Sequence, residues 1–197
     1  MKRKIIVMLV LGILATGSLL LFDYWTNTQP VWVYDESPLP DTVIELPQKN
    51  KDVISFIEAS GQSLAPDYNS VVCTEFVIKV IDHFNELTRE ERKAVRIITE
   101  EDLSKLLEHD SPLMKGVQTA LMENNKGVEI KDLNEVMPGD FVQFWNDFQG
   151  SCYGHCGIVS EIKAGESITL YSSHPMTDGY GIQKFMWPSK VFFVRLK

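Results

Sequence analysis

The sequence predicts an α+β domain, with N-terminal helices packed on an antiparallel β-sheet, preceded by one transmembrane helix. Three observations carry this expectation. Helical periodicity dominates residues 51 to 124, strand-like patterning dominates the chain after Gly127, and an uncharged run opens the sequence. Helices followed by strands, rather than the two alternating, mark α+β order.

A chain of 197 residues suits one compact domain with appendages. Its 44% hydrophobic and 23% charged content is ordinary for a globular protein and argues against disorder. Such a domain can bury a sizeable core without disulfides. Of the 19 basic residues three (Lys2, Arg3 and Lys4) belong to the N-terminal flank, which leaves 16 against 27 acidic ones, a balance of -11. No Lys/Arg-rich face interleaved with aromatics is present, so nucleic acid is not an expected partner.

The first element is a targeting segment, residues 1–25. Behind the basic flank, Ile5 to Phe22 form an uncharged run of 18 residues ended by Asp23. As a helix it would span roughly 27 Å, about the thickness of a bilayer's hydrocarbon core. Positive charge before the run places the N-terminus inside and the rest outside. Tyr24 and Trp25 stand where interfacial aromatics belong. The competing reading is a cleaved signal peptide with Ala15 and Gly17 at the cleavage site. The anchor is favoured because Leu19 to Phe22 continue the apolar run past that site. Either reading puts the domain outside the cytoplasm, membrane-anchored or secreted. Residues 26–50 hold four prolines and read as a linker, with one strand at Val31–Tyr34. The folded domain is expected over 51–197.

Its first helix is expected from Lys51 to Ser60, with Gly61 as the stop. The second starts after Asn69 or Ser70 as cap and carries Val72, Phe76, Val77, Val80, Ile81 and Phe84 on one face. Cys73 lies in its first turn, three, four and seven residues before Phe76, Val77 and Val80, and so points toward the core. Thr88 and Glu91 have capping-box spacing, Thr99 starts a short helix through Leu107, and Ser111-Pro112 opens another reaching Asn124. Strands then follow at Phe141–Trp145, His155–Ile162, Ser167–His174 and Val191–Leu196. The turn Lys163–Glu166 makes the middle two a hairpin, and a Gly-rich loop with Gly150 and Gly154 precedes them.

The chemistry centres on the cysteines. Three of them (Cys73, Cys152 and Cys156) are an odd number, so at least one is unpaired within the chain. In an oxidising compartment an unpaired cysteine is a candidate reactive thiol. A thiol attacks acyl groups as thiolate, and an ordinary pKa near 8.5 is too high for that at neutral pH. A helix N-terminus favours the anion, and an imidazole can take its proton. Cys73 has the first of these locally; His155 or His174 must supply the second.

Three segments, in order, resemble those of the papain-like hydrolases of bacterial cell walls, the NlpC-type peptidases and CHAP amidases. They are Cys73-Thr-Glu-Phe-Val77, Pro138-Gly-Asp-Phe-Val-Gln-Phe-Trp145 and Gly154-His-Cys-Gly-Ile-Val159. The resemblance covers roughly residues 65 to 197. It implies a papain-like fold, with Cys73 as nucleophile, His155 as base and no cofactor. It also implies a third polar residue on the following strand. Alternation puts Ile168, Leu170, Ser172 and His174 on one face of that strand. His174 is the expected third member, giving a Cys-His-His set, and Ser172 is the alternative. The implied activity is cleavage of an amide bond in peptidoglycan, as endopeptidase or amidase, with peptidoglycan or its stem peptides as partner. A catalytically inactive, membrane-anchored binding module is the alternative. The helices at about 86–126 read as an insertion relative to that family. Tyr68 does not match the spacing of the tyrosine that precedes the nucleophile in NlpC relatives. The Cys73 backbone N–H is expected as one part of the oxyanion hole, whose other donors the sequence leaves open.

Other residues have plainer readings. Cys152 and Cys156 could form a disulfide, or join His155 and His174 around a metal, although no paired ligand spacing supports the latter. If His155 faces the site, alternation turns Cys156 away, toward packing. Gly154 and Gly157 would leave space for a substrate beside His155. His83 and His109 read as surface residues, Trp145 and Trp187 as core or groove aromatics.

Overall fold

The computed structural model describes residues 45–148 and 151–197. The N-terminal apolar segment, most of the linker and the expected strand at Val31–Tyr34 lie outside them. No helix among the described residues is long and apolar enough to cross a membrane.

Helix α1 spans Gln48–Leu64, longer at both ends than periodicity predicts. Gly61 does not stop it. The Tyr180 ring occupies the space in front of this glycine, and a Cβ built there would stand 2.4 Å from a ring carbon. The glycine thus serves close helix–sheet packing. Helix α2, Cys73–Phe84, buries Phe76, Val77, Val80 and Ile81 of the expected face together with Ile78, while Val72 is 37% exposed and Phe84 only partly buried.

Helix α3, Arg89–Arg96, has the expected capping box. The Glu91 N–H donates to Thr88 Oγ1 and the Thr88 N–H to the Glu91 carboxylate. That carboxylate also receives Lys126 at 2.6 Å and Asn124 at 2.7 Å. Burial alone would raise the Glu91 pKa, but these bonds outweigh it and hold the group at about 2. Arg96 reaches back to Glu75 with two hydrogen bonds, tying α3 to α2. Helix α4, Leu103–Glu108, starts after Asp102, whose side chain caps it, rather than at Thr99. The single helix expected from Ser111 is instead a 3₁₀ turn, Pro112–Lys115, followed by α5, Gly116–Glu123.

Six strands follow: β1 Gly127–Ile130, β2 Phe141–Phe148, β3 Ser151–Lys163, β4 Ser167–His174, β5 Gly179–Met186 and β6 Lys190–Leu196. They form one sheet in the order β1-β6-β2-β3-β4-β5, every pair antiparallel. The fold is therefore α+β with an antiparallel sheet, as expected. Strands β1 and β5 are not among those that alternation predicts: β1 is four residues long, and β5 carries two glycines in its first three positions.

Both faces of the sheet are buried, which alternation makes legible residue by residue. Phe141, Cys156, Ile158, Tyr171 and Val194 face the helices. Val142, Phe144, Val159, Ile168, Leu170 and Phe193 face the other way, into a second apolar cluster. Strong curvature makes that second core. Strands β2 and β5 are three places apart, roughly 14 Å in a flat sheet, yet the rings of Phe144 and Phe185 lie 5.1 Å apart. The sheet curls on itself, with its inner face lined by Phe144, Phe185 and His155.

The Pro138-Gly-Asp turn joins these layers. Gly139 has φ +90°, and a Cβ there would stand 2.8 Å from the Asn50 carbonyl oxygen. Asp140 is fully buried. Its carboxylate accepts two bonds from Arg195 on β6, both 2.8 Å, one from Asn50 on α1 at 2.8 Å, and one from the Met137 N–H at 2.7 Å. One side chain thus links α1, the β2 turn and β6.

Candidate active site

Cys73 is the first residue of α2. Val72 precedes it in extended conformation and provides no side-chain cap. The expected caps do other work: Ser70 bonds Asp67 through both its N–H and its hydroxyl. The first turn of a helix has N–H groups without intrahelical partners. Here no side-chain cap takes them, and the Cys73 sulfur shares this first turn with the Glu75 carboxylate, so both sit where the helix dipole favours negative charge.

The β3–β4 ladder runs only from Lys163↔Ser167 to Ile158↔Tyr171, while β2–β3 pairing continues to Phe148↔Ser151 and β4–β5 pairing to His174↔Gly179. Beyond Ile158 the two strands part, and the start of α2 enters between them. Ser173 Oγ on β4 bonds the Val71 carbonyl oxygen, and the Cys156 N–H on β3 bonds the Cys73 sulfur. This wedge explains how one sulfur reaches two adjacent residues whose side chains leave opposite faces of β3.

The Cys73 thiol is pulled down to about 4. The leading cause is a hydrogen bond from the Cys156 thiol, against which burial works. A bond to His155, the imidazolium charge and the Cys156 N–H add to the lowering. Cys156 shifts upward, through its bond to Cys73, burial and the neighbouring negative charge. Charge therefore rests on Cys73, and Cys156 stays a thiol. Cys156 is fully buried among helix-facing core residues, as alternation predicts, but packing is not its only contact.

His155 is 2% exposed. Its Nε2 lies 3.0 Å from Ser172 Oγ, which leaves Nδ1 as the nitrogen for Cys73. The expected third member, His174, is not in that hydrogen bond: its ring stands edge-on to His155, centroids 5.3 Å apart. His174 Nδ1 instead accepts the Met176 N–H at 3.1 Å, capping the 3₁₀ turn Pro175–Thr177. Both residues share a face, as alternation requires, but Ser172 lies one step deeper and is fully buried. His174 is shifted down, by burial and then by the His155 charge, with Cys73 opposing.

The glycines beside His155 do not leave space for a ligand. Gly154 is a strand residue paired with Trp145, whose ring lies 2.4 Å from where its Cβ would be. Gly157 lies against the Tyr171 carbonyl of β4. Two tyrosines instead surround the thiolate. Burial, then the Cys73 charge, raises Tyr68; the same causes push Tyr153 up to about 12. The Tyr153 hydroxyl lies 3.5 Å from His174 Nε2. Tyr153 stacks on His155, rings 8° from parallel. Sequence reasoning set Tyr68 aside on spacing and missed Tyr153; no periodic signal marks either.

Cys156 is a free thiol, so no Cys152–Cys156 bridge forms. Cys152 packs against Leu106, Leu107, Met114 and Trp145. Among the described residues no group of three or more His, Cys, Asp or Glu side chains could hold a metal ion.

In comparisons with known proteins, no family model, curated protein or solved structure matches this chain.

Proposed function

We propose that this chain is a cysteine hydrolase of papain-like design that cleaves an amide bond in peptidoglycan, with Cys73 as nucleophile and His155 as its base. One observation carries the reading: a thiol at an uncapped helix start, bonded to a buried imidazole and to the thiol and N–H of Cys156, contacts that lower its pKa. Ser172 orients that imidazole in place of the expected His174.

The chemistry follows from these positions. The Cys73 thiolate attacks the amide carbon and the carbonyl electrons move to oxygen, beside the N–H groups of the first turn of α2. His155 gives its Nδ1 proton to the departing nitrogen as the C–N bond breaks, leaving a thioester. It then takes a proton from water, which attacks the thioester and releases the acid and the thiolate. The N-terminal basic flank and apolar run support action outside the cytoplasm, and the three wall-hydrolase-like segments support the substrate.

Incubation of the full chain with purified sacculi tests this. Mass spectrometry of the soluble products is expected to show one new amine and one new carboxylate per cleavage. The bond type then distinguishes endopeptidase from amidase. No release from sacculi by protein with an intact thiolate would overturn the substrate assignment.

A further inference from the structure

Behind His155 runs a chain of hydrogen bonds with no charged member. His155 Nε2 is 3.0 Å from Ser172 Oγ, Ser172 Oγ is 2.6 Å from Gln183 Oε1, and Gln183 Nε2 is 2.7 Å from Thr177 Oγ1. Thr177 Oγ1 lies 2.8 Å from the Gly179 carbonyl oxygen and 3.2 Å from that of His174. Gln183 comes from β5, opposite Leu170, and is 9% exposed.

The carbonyls fix the direction of every bond in the chain. A carbonyl oxygen only accepts. Thr177 must therefore donate its one hydroxyl proton to a carbonyl, and toward Gln183 it can only accept. The Gln183 group facing Thr177 is thus the NH₂, and the atom facing Ser172 is the oxygen. Ser172 commits its proton to that oxygen and toward His155 can only accept. His155 must then carry its N–H on Nε2.

We infer that Gln183 is a positioning residue that sets the tautomer of His155 through Ser172, keeping the proton on Nε2 and presenting the Nδ1 lone pair to Cys73. Without it, the buried Ser172 hydroxyl would have only His155 Nε2 left to donate to, which places the proton on Nδ1, where it cannot accept one from the thiol. The importance of this for turnover rests on the hydrolase reading above; the tautomer itself does not. The titratable groups around His155 are Cys73, Cys156, Tyr153 and His174. His174 is held by Met176 and is not part of the chain.

The test uses the full chain with ¹⁵N-labelled histidine and Cys73→Ala, which removes the thiolate partner. At about pH 8, above the ordinary imidazole range, long-range ¹H–¹⁵N spectra are expected to show the Nε2–H tautomer of His155. Gln183→Met should switch it to Nδ1–H. Gln183→Glu, which keeps an acceptor oxygen toward Ser172, should retain Nε2–H. With Cys73 present, Gln183→Met should move the midpoint of the iodoacetamide pH–rate profile upward by about one pH unit, on the order of tenfold in thiol acidity, and Gln183→Glu should restore it. An Nδ1–H tautomer with Gln183 in place, or an unchanged tautomer in the Met variant, would overturn the inference. Sacculus digestion absent while the tautomer is as stated would overturn the hydrolase reading and leave this inference standing.

Discussion

Cys73→Ser is expected to reduce amide hydrolysis roughly 10⁴- to 10⁶-fold, with the urea midpoint of unfolding unchanged. A single oxygen for sulfur removes a thiol whose ionisation the site favours. The hydroxyl must instead be deprotonated during attack, and the imidazole beside it is poorly equipped for that. His155 leans on the neutral oxygen of Ser172, where serine hydrolases place a carboxylate. A neutral third group suits a nucleophile that arrives ionised. Cys73→Ala should lose activity to the same extent. The comparison is made by initial rates on released muropeptides beside circular dichroism of each variant. Activity within tenfold of the parent in either variant would contradict the assignment.

The second large effect falls on the fold. Asp140→Ala is expected to destabilise the domain by about 3–5 kcal/mol, the range for removing one partner of a buried ion pair. The loss takes an acceptor from three donors at once: the Arg195 guanidinium and the Asn50 amide, which keep only the Glu135 and Pro138 carbonyls, and the Met137 N–H. Typical domains are stable by only about 5–15 kcal/mol, so the variant should unfold at a much lower urea concentration. Asp140→Asn keeps an acceptor but no charge and should fall between the two. A shift under about 1 kcal/mol in urea titrations of Asp140→Ala would mean that this carboxylate is not the link between α1 and β6.

These two residues also show what the sequence made readable. Cys73 was visible because Phe76, Val77 and Val80 follow it at helical spacing, which fixed both its turn and its face. The Pro-Gly-Asp turn was visible from its dipeptide chemistry, although its buried ion pair was not. Depth is what periodicity cannot supply. Ser172 and His174 share a face by alternation, and only the parting of β3 from β4 decides which of them meets His155. The same lack of depth misdirected the glycines: Gly61, Gly154 and Gly157 look like stops or open space in a linear reading. Each is instead a place where a ring or a carbonyl passes too close for a Cβ. Strand β5 escaped notice because two glycines break its alternation, and with it went Gln183 and the chain behind His155. The caps Asn69 and Ser70 were plausible residue types in the right place, but Asp67 claims Ser70 and leaves the α2 start open.

Alkylation with iodoacetamide as a function of pH tests the lowered pKa of Cys73. Peptide mapping restricts the signal to Cys73. Cys156, buried and shifted upward, should remain unlabelled in the folded protein. A lowered thiol pKa leaves thiolate present above that value and removes it only as pH falls through it. The rate at Cys73 should therefore stay nearly flat from pH 8 downward and drop only toward the lowered value of about 4. A rate that falls about tenfold per pH unit below roughly pH 8.5 is the behaviour of an ordinary thiol, and would contradict the account.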